Sequence, residues 1–466
     1  MKNTIKRTLF GLFCVVMAYV FVSCSNGEPP FIPVVNYTEE EVSSSVNEIP
    51  AGVYNIYHLR QKTTGGTNPY DYEQYSYDYK FFSKASKLSD VAESYPGFSV
   101  QTMTLNEDAV YVYYNRNTIT YTFNLGDKGS FADGTKTRTV SGLYGSSVLK
   151  PARADIVSSD ATKYRFSKWR MKDGASVPSV FGADNIDDIV AVWVNPSTIT
   201  EPEGFVEIPA ALITGSEEWT PTSNIFVSGR ALNIEAFWMS DHEVTRDEYK
   251  KIMGSDPSSA DAYDKDGSKL TGSAAGNNPV DSVSWYGAIV YCNKRSIDEG
   301  LTPCYTISGS TDPESWGTVP TYSSSTWNAA VCDFEADGFR LPTEAEWEWA
   351  ARGGESYEYA GSDNIDDVAW YGGNTRYTGS WEVKTKKANG YGLYDMSGNV
   401  EEWCWDWYGS VYSSTPGSGV SFGYGRCRRG CSWYDNADCA QVAFRLSISP
   451  DFRDSQNGFR LVRSAQ

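Results

Sequence analysis

Histidine is almost missing: the 466 residues hold two, His58 and His242, far apart in sequence. That argues against a His-rich metal site and against a Ser-His-Asp triad. Basic charge is scarce too, with 40 Lys+Arg against 59 Asp+Glu and a net charge of -19. Phosphate neutralisation needs a basic face, so no nucleic-acid partner is expected. There is no CxxC pair, which leaves a zinc ribbon or thioredoxin-type motif unsupported. The apolar run "TLFGLFCVVMAYVFV" (8–22) is short for a membrane span. What the chain has in quantity is aromatic: 14% of residues, with 32 Tyr and 15 Trp. Such an excess suits extracellular β-rich and ligand-binding proteins but names no ligand.

Lys2, Lys6 and Arg7 precede the apolar run, so the start reads as a signal peptide. Its end, Phe21-Val22-Ser23-Cys24, resembles a bacterial lipobox. The resemblance implies that Cys24 becomes the first residue and is acylated. It places the protein in a bacterial cell envelope, lipid-anchored in the outer membrane on its periplasmic or surface face. Of nine cysteines, seven then remain, all in the C-terminal half: Cys292, Cys304, Cys332, Cys404, Cys427, Cys431 and Cys439. Some should pair in an exported protein, and an odd number leaves one thiol over.

Residues 1–23 are thus a signal peptide, and 24–50, rich in Pro, Ser and Glu, a tether without a core. In 51–117, "VYNIYHLRQ" and "DAVYVYYNR" alternate as strands, with Pro96-Gly97 marking a turn. This module resembles mucin-binding-type β modules. Residues 118–197 run from "TITYTFNLGDKGSF" through "VSGLYG" and "FSKW" to "AVWV". That order resembles the internalin-type B-repeat, a β-grasp-like spacer.

Beyond the linker, 205–466 carries helix starts at Thr245 with Glu248, at Ser284, and at Thr343 with Glu346. The blocks "RLPTEAEWEWAARGG" and "GYGLYDMSGNVEEW", in that order, resemble the formylglycine-generating-enzyme or sulfatase-modifying-factor family. The resemblance implies a multidomain chain: N-terminal β-rich, β-grasp-like modules, then an α+β domain of C-type-lectin-like fold, Trp-rich and cation-binding.

In calcium-bound members of that family one site lies on the turn spelled here Asp395-Met396-Ser397-Gly398-Asn399-Val400-Glu401-Glu402. The resemblance assigns the ligands to the Asp395 side chain, the Gly398 and Val400 carbonyls and the Glu402 side chain, an oxygen set suited to calcium. The family has Trp where this chain has Glu401, and no match to its other calcium site is found near "VAWYGGNTRY".

The family's enzyme oxidises a substrate cysteine with two thiolates that hold Cu(I), a soft ligand pair for a soft ion. Counted from the motif read here as Arg429-Gly430-Cys431-Ser432, those positions are Asp435 and Ala440. Copper binding is therefore not expected. Cys439 aligns better with a cysteine of non-catalytic relatives, and Cys431 replaces a glycine. Cys431, Ser432, Asp435 and Cys439 are the pocket candidates, with a copper-holding Cys431/Cys439 pair as an alternative to a disulfide among Cys404, Cys427, Cys431 and Cys439. A Cys304–Cys332 pair is also expected. Two histidines exclude the three-histidine iron site of other relatives. Glu344, Glu346 and Glu348 read as caps or salt bridges, not acid–base catalysts. The resulting expectation is a non-catalytic lipoprotein binding an envelope protein or glycan through a Trp/Tyr-lined groove. The alternatives are an oxidase or maturation factor with a rearranged Cys site, and a structural component of an envelope complex.

Overall fold

A computed structural model describes residues 45–465, apart from 63–71, 107–108, 147, 152, 176, 179, 199–200 and 421. Cys24, the signal segment and most of the tether lie outside the described residues. The chain divides into two compact units: Met1–Leu59 with Thr67–Ala92 and Thr102–Tyr113, and the remainder.

A five-stranded sheet, most of whose residues belong to the first unit, runs in the order Ser45–Val46, Phe98–Asn106, Ala109–Arg116, Gly52–Gln61, Tyr72–Phe82. Alternation decides its faces: Tyr54, Ile56, His58, Met103, Val110 and Val112 are buried, while Tyr57 and Tyr111 are half-buried.

The second unit begins with a four-stranded mixed sheet. Thr118–Asn124 pairs antiparallel with Thr137–Leu143 and parallel with Ile186–Val194, which pairs antiparallel with Arg165–Met171. A parallel central pair of this kind is the β-grasp-like arrangement. Trp169, 1% exposed, packs edge-on against Phe123 and forms the centre of its core.

The C-terminal α+β domain is closed by its own ends. Phe205–Ile208 pairs with Phe237–Ser240, which pairs with Val462–Ser464. A second sheet runs Leu446–Ile448, Arg426–Arg429, Glu401–Trp407, Asn457–Gly458. Three helices start where their caps predict. Thr245 and Thr343 form reciprocal capping boxes with Glu248 and Glu346 before Arg246–Met253 and Glu344–Arg352, and Ser284 caps Trp285–Asp298. Each cap is worth about 1 kcal/mol.

The tryptophans of the "EEWCWDW" strand belong to the core. Trp403 is fully buried and its Nε1 donates to the Val283 carbonyl at 2.8 Å; Trp407 is 9% exposed, with the Arg426 guanidinium 3.9 Å above its ring. Among the described residues no tryptophan is strongly exposed, and Trp349, Trp370 and Trp405 are half-buried.

The expected Cys304–Cys332 bond does not form. Tyr305 is the residue opposite Cys332 across their two-stranded ribbon, so Cys304 sits one place out of register. Neighbouring residues on a strand point to opposite faces. The Cys304 thiol instead donates to the Gly338 carbonyl at 3.4 Å.

Candidate functional site

The helix Glu344–Arg352 anchors the site. Its acids are all paired: Glu344 with Arg429 at 3.0 Å and Arg445 at 2.6 Å, Glu346 with Arg340 at 2.7 Å, and Glu348 with Arg429 at 2.6 Å and Arg352 at 2.7 Å. Arg429, whose side chain is fully buried, thereby fixes the end of strand Arg426–Arg429 against the helix. Removing one member of such a pair leaves a buried uncompensated charge, at a cost of ~3–5 kcal/mol. These glutamates hold structure.

Immediately after Arg429 the chain turns through two left-handed residues, Gly430 (φ 85°) and Cys431 (φ 63°). The second is unusual for a residue with a Cβ. Cys431 is bonded to Cys439, with Cα atoms 5.8 Å apart. Asp435 lies beside the disulfide: one carboxylate oxygen and the two sulfurs are all within 4.8 Å of one another. Its Oδ2 accepts from the Ser432 amide at 2.9 Å and hydroxyl at 2.6 Å, closing the turn 432–435. Ala440 is buried, its carbonyl accepting from the Ser397 hydroxyl at 2.7 Å. The structure thus brings Cys431, Ser432, Asp435 and Cys439 together. The Cys431 and Cys439 sulfurs are joined to each other in a covalent bond.

Two exposed tyrosines pack against each other, one of them within the turn that follows Cys431. Tyr434 and Tyr377 are each 51% exposed and meet edge to face at 5.4 Å. Tyr377 follows Arg376, and both are left-handed, at φ 60° and 58°. Two consecutive non-glycine residues there carry backbone strain. Neither residue stood out in the sequence; no periodicity or spacing marks an exposed tyrosine.

The Asp395–Glu402 turn forms a second, fully buried constellation. Asp395 (φ 57°) is 2% exposed; its Oδ2 accepts from the Lys384 amide at 2.8 Å, while Oδ1 has no hydrogen-bond partner. Burial pushes the Asp395 carboxyl up to about 6. Glu243, also completely buried, accepts from the Val400 amide at 2.9 Å and the Asn399 side-chain amide at 2.8 Å. Burial, then the charges of Asp395 and Glu402, raise its pKa well above the ordinary range. Glu402 is occupied: both its oxygens take the Arg460 guanidinium, at 2.6 and 2.7 Å, and one also takes the Trp347 indole N–H at 2.7 Å. Three buried acids thus face one buried arginine. An orphaned carboxylate oxygen fits a divalent cation at Asp395. Within the expected set Glu402 is a poorer fit, because Arg460 already neutralises it. Glu243 and Arg460 were not anticipated; Arg460 sits in the apolar stretch "GFRLV", where a charge demands a partner, whereas Glu243 lies in the mixed stretch "FWMSDHEV", which carries no such signal.

A family model, the sulfatase-modifying factor enzyme 1-like domain, matches residues 192–465. The chaperone protein LppX of Paenibacillus barcinonensis is 34% identical over 263 residues, 52% of this chain and 85% of that one. The formylglycine-generating enzyme of Thermomonospora curvata is 35% identical over 158 residues, 29% of this chain, which spans 52% of the enzyme's length. Among solved structures, Treponema denticola variable protein 1 is 37% identical, with a TM-score of 0.49, over 56% of this chain and 94% of that one. Matching proteins include both formylglycine-generating enzymes and one named inactive C-alpha-formylglycine-generating enzyme 2. The chain belongs to the sulfatase-modifying factor enzyme 1-like family.

Proposed function

We propose that this chain is an envelope lipoprotein, anchored through Cys24, whose family domain makes no formylglycine and binds an envelope protein or glycan. The observation that carries the reading is the Cys431–Cys439 disulfide, with Asp435 and Ala440 at the positions where the resemblance calls for thiolates. Oxygen activation by Cu(I) needs soft ligands. A carboxylate is hard and an alanine supplies none. The exposed pair Tyr377 and Tyr434 supplies amphipathic contact area of the kind that binding surfaces favour. The chaperone among the relatives favours a polypeptide as the ligand. Calcium at Asp395 would have a structural role, neutralising the buried acids behind the Gly398–Asn399 turn.

The deciding experiment incubates the copper-loaded protein with a CxPxR peptide, oxygen and a thiol reductant. Mass spectrometry should show the cysteine unchanged. Catalytic conversion to the aldehyde, lost in Cys431→Ser, would overturn the reading. The anchor is checked separately: palmitate label should enter the wild-type protein and not Cys24→Ser, and an unlabelled wild type removes the lipoprotein assignment.

A further inference from the structure

The open face of the five-stranded sheet is aromatic. Among the described residues Tyr72–Phe82 is the outermost strand of that sheet, 11 residues long, without proline or glycine, alternating in exposure along its length. Tyr77, Tyr79 and Phe81 are 58%, 71% and 72% exposed. Tyr77 is stacked on Tyr57 at 5.9 Å, and Tyr57 on Tyr111 at 5.2 Å, so the rings continue across three strands. Asp78 and Lys80, on the alternate face, form an ion pair at 3.0 Å. Antiparallel sheets with one buried face normally present a polar face to water. Edge strands are normally short, interrupted or strongly charged, because an open edge is a template for another strand.

We propose that this edge pairs with a second copy of the chain, the Ser76–Phe82 stretches of two such strands joining antiparallel about a two-fold axis at Tyr79. The pairing is isologous, so each contact occurs twice. In this register Tyr79 opposes Tyr79, Tyr77 opposes Phe81, and Asp78 opposes Lys80. Directly opposed residues share a face. Rings therefore meet rings on the aromatic face, and carboxylate meets ammonium twice on the other. A register centred on Tyr77 sets Asp78 against Ser76 and Lys80 against Gln74, and forfeits both charge pairs. Charge complementarity thus selects both the occupant and the register.

The test uses the full mature chain in sedimentation over a micromolar concentration series. Wild type should show a monomer–dimer equilibrium. Lys80→Asp and Asp78→Lys should each weaken the dimer roughly tenfold or more, since like charges then oppose each other twice. The double exchange should restore it. Under mild oxidation Tyr79→Cys should cross-link into a covalent dimer across the axis, whereas Tyr77→Cys, which faces Phe81, should not. A chain monomeric at every concentration, a dimer indifferent to Lys80→Asp, or cross-linking at position 77 in place of 79 would each overturn the proposal. The charge exchange and the cross-link read the register directly, so a single variant that folds poorly leaves the question decidable.

Discussion

Breaking the Cys431–Cys439 bond should destabilise the C-terminal domain by an amount the structure sets. The bond closes a loop of sequence separation 8. Loop-closure entropy for so short a loop gives about 2.5 kcal/mol. At roughly 2–4 °C per kcal/mol for a domain of this size, Cys431→Ser should lower Tm by about 5–10 °C. A second variant isolates the backbone. Cys431 holds φ 63°, where a residue with a Cβ is disfavoured by roughly 1–2 kcal/mol and glycine is not. Cys431→Gly loses the same bond but relieves that conformation, so it should melt above Cys431→Ser by a few degrees. Calorimetry on both variants, with wild type before and after a dithiol reductant, makes the comparison. Peptide mapping must first confirm the bond in wild type. An unchanged Tm on reduction of a mapped disulfide would refute the entropic argument. A Cys431→Gly variant no more stable than Cys431→Ser would refute the left-handed assignment.

A pH effect should come from His242. Burial lowers its pKa, but bonds to Asp241 and Glu248 outweigh this and raise it to about 9. The stabilisation this group contributes is complete below its unfolded value of ~6.5 and is lost as pH rises through 9. Tm should fall across that window, and His242→Gln should flatten the fall; identical profiles would remove His242 as the cause. For calcium, a chelator should lower Tm and added calcium restore it. Binding at a hundredfold excess over Kd is worth about 2.7 kcal/mol. Asp395→Asn should reduce that sensitivity more than Glu402→Gln, because Glu402 already serves Arg460; a metal-free protein indifferent to calcium would discard the site.

Much of the scaffold was legible because its causes are local. A cap reaches three residues, so Thr245/Glu248 and Thr343/Glu346 announced their helices without knowledge of anything distant. Strand alternation in "VYNIYHLRQ" and "AVYVYYNR" has period two and needs only neighbours. The family blocks fixed the architecture of the last domain, and the residue types at 435 and 440 fixed the absence of the expected thiolates.

Tertiary structure decided what each charge and sulfur does. Glu348 finds Arg429 81 residues away, and Glu402 finds Arg460 at a separation of 58. No spacing rule pairs Glu402 with Arg460. Cys439 reaches Cys431 because Gly430 and Cys431 turn the chain left-handed; Cys304 misses Cys332 by one step of strand register. Capping and alternation are properties of a few adjacent dihedral angles, whereas pairing and burial depend on which distant segments the packed core brings within a few ångströms.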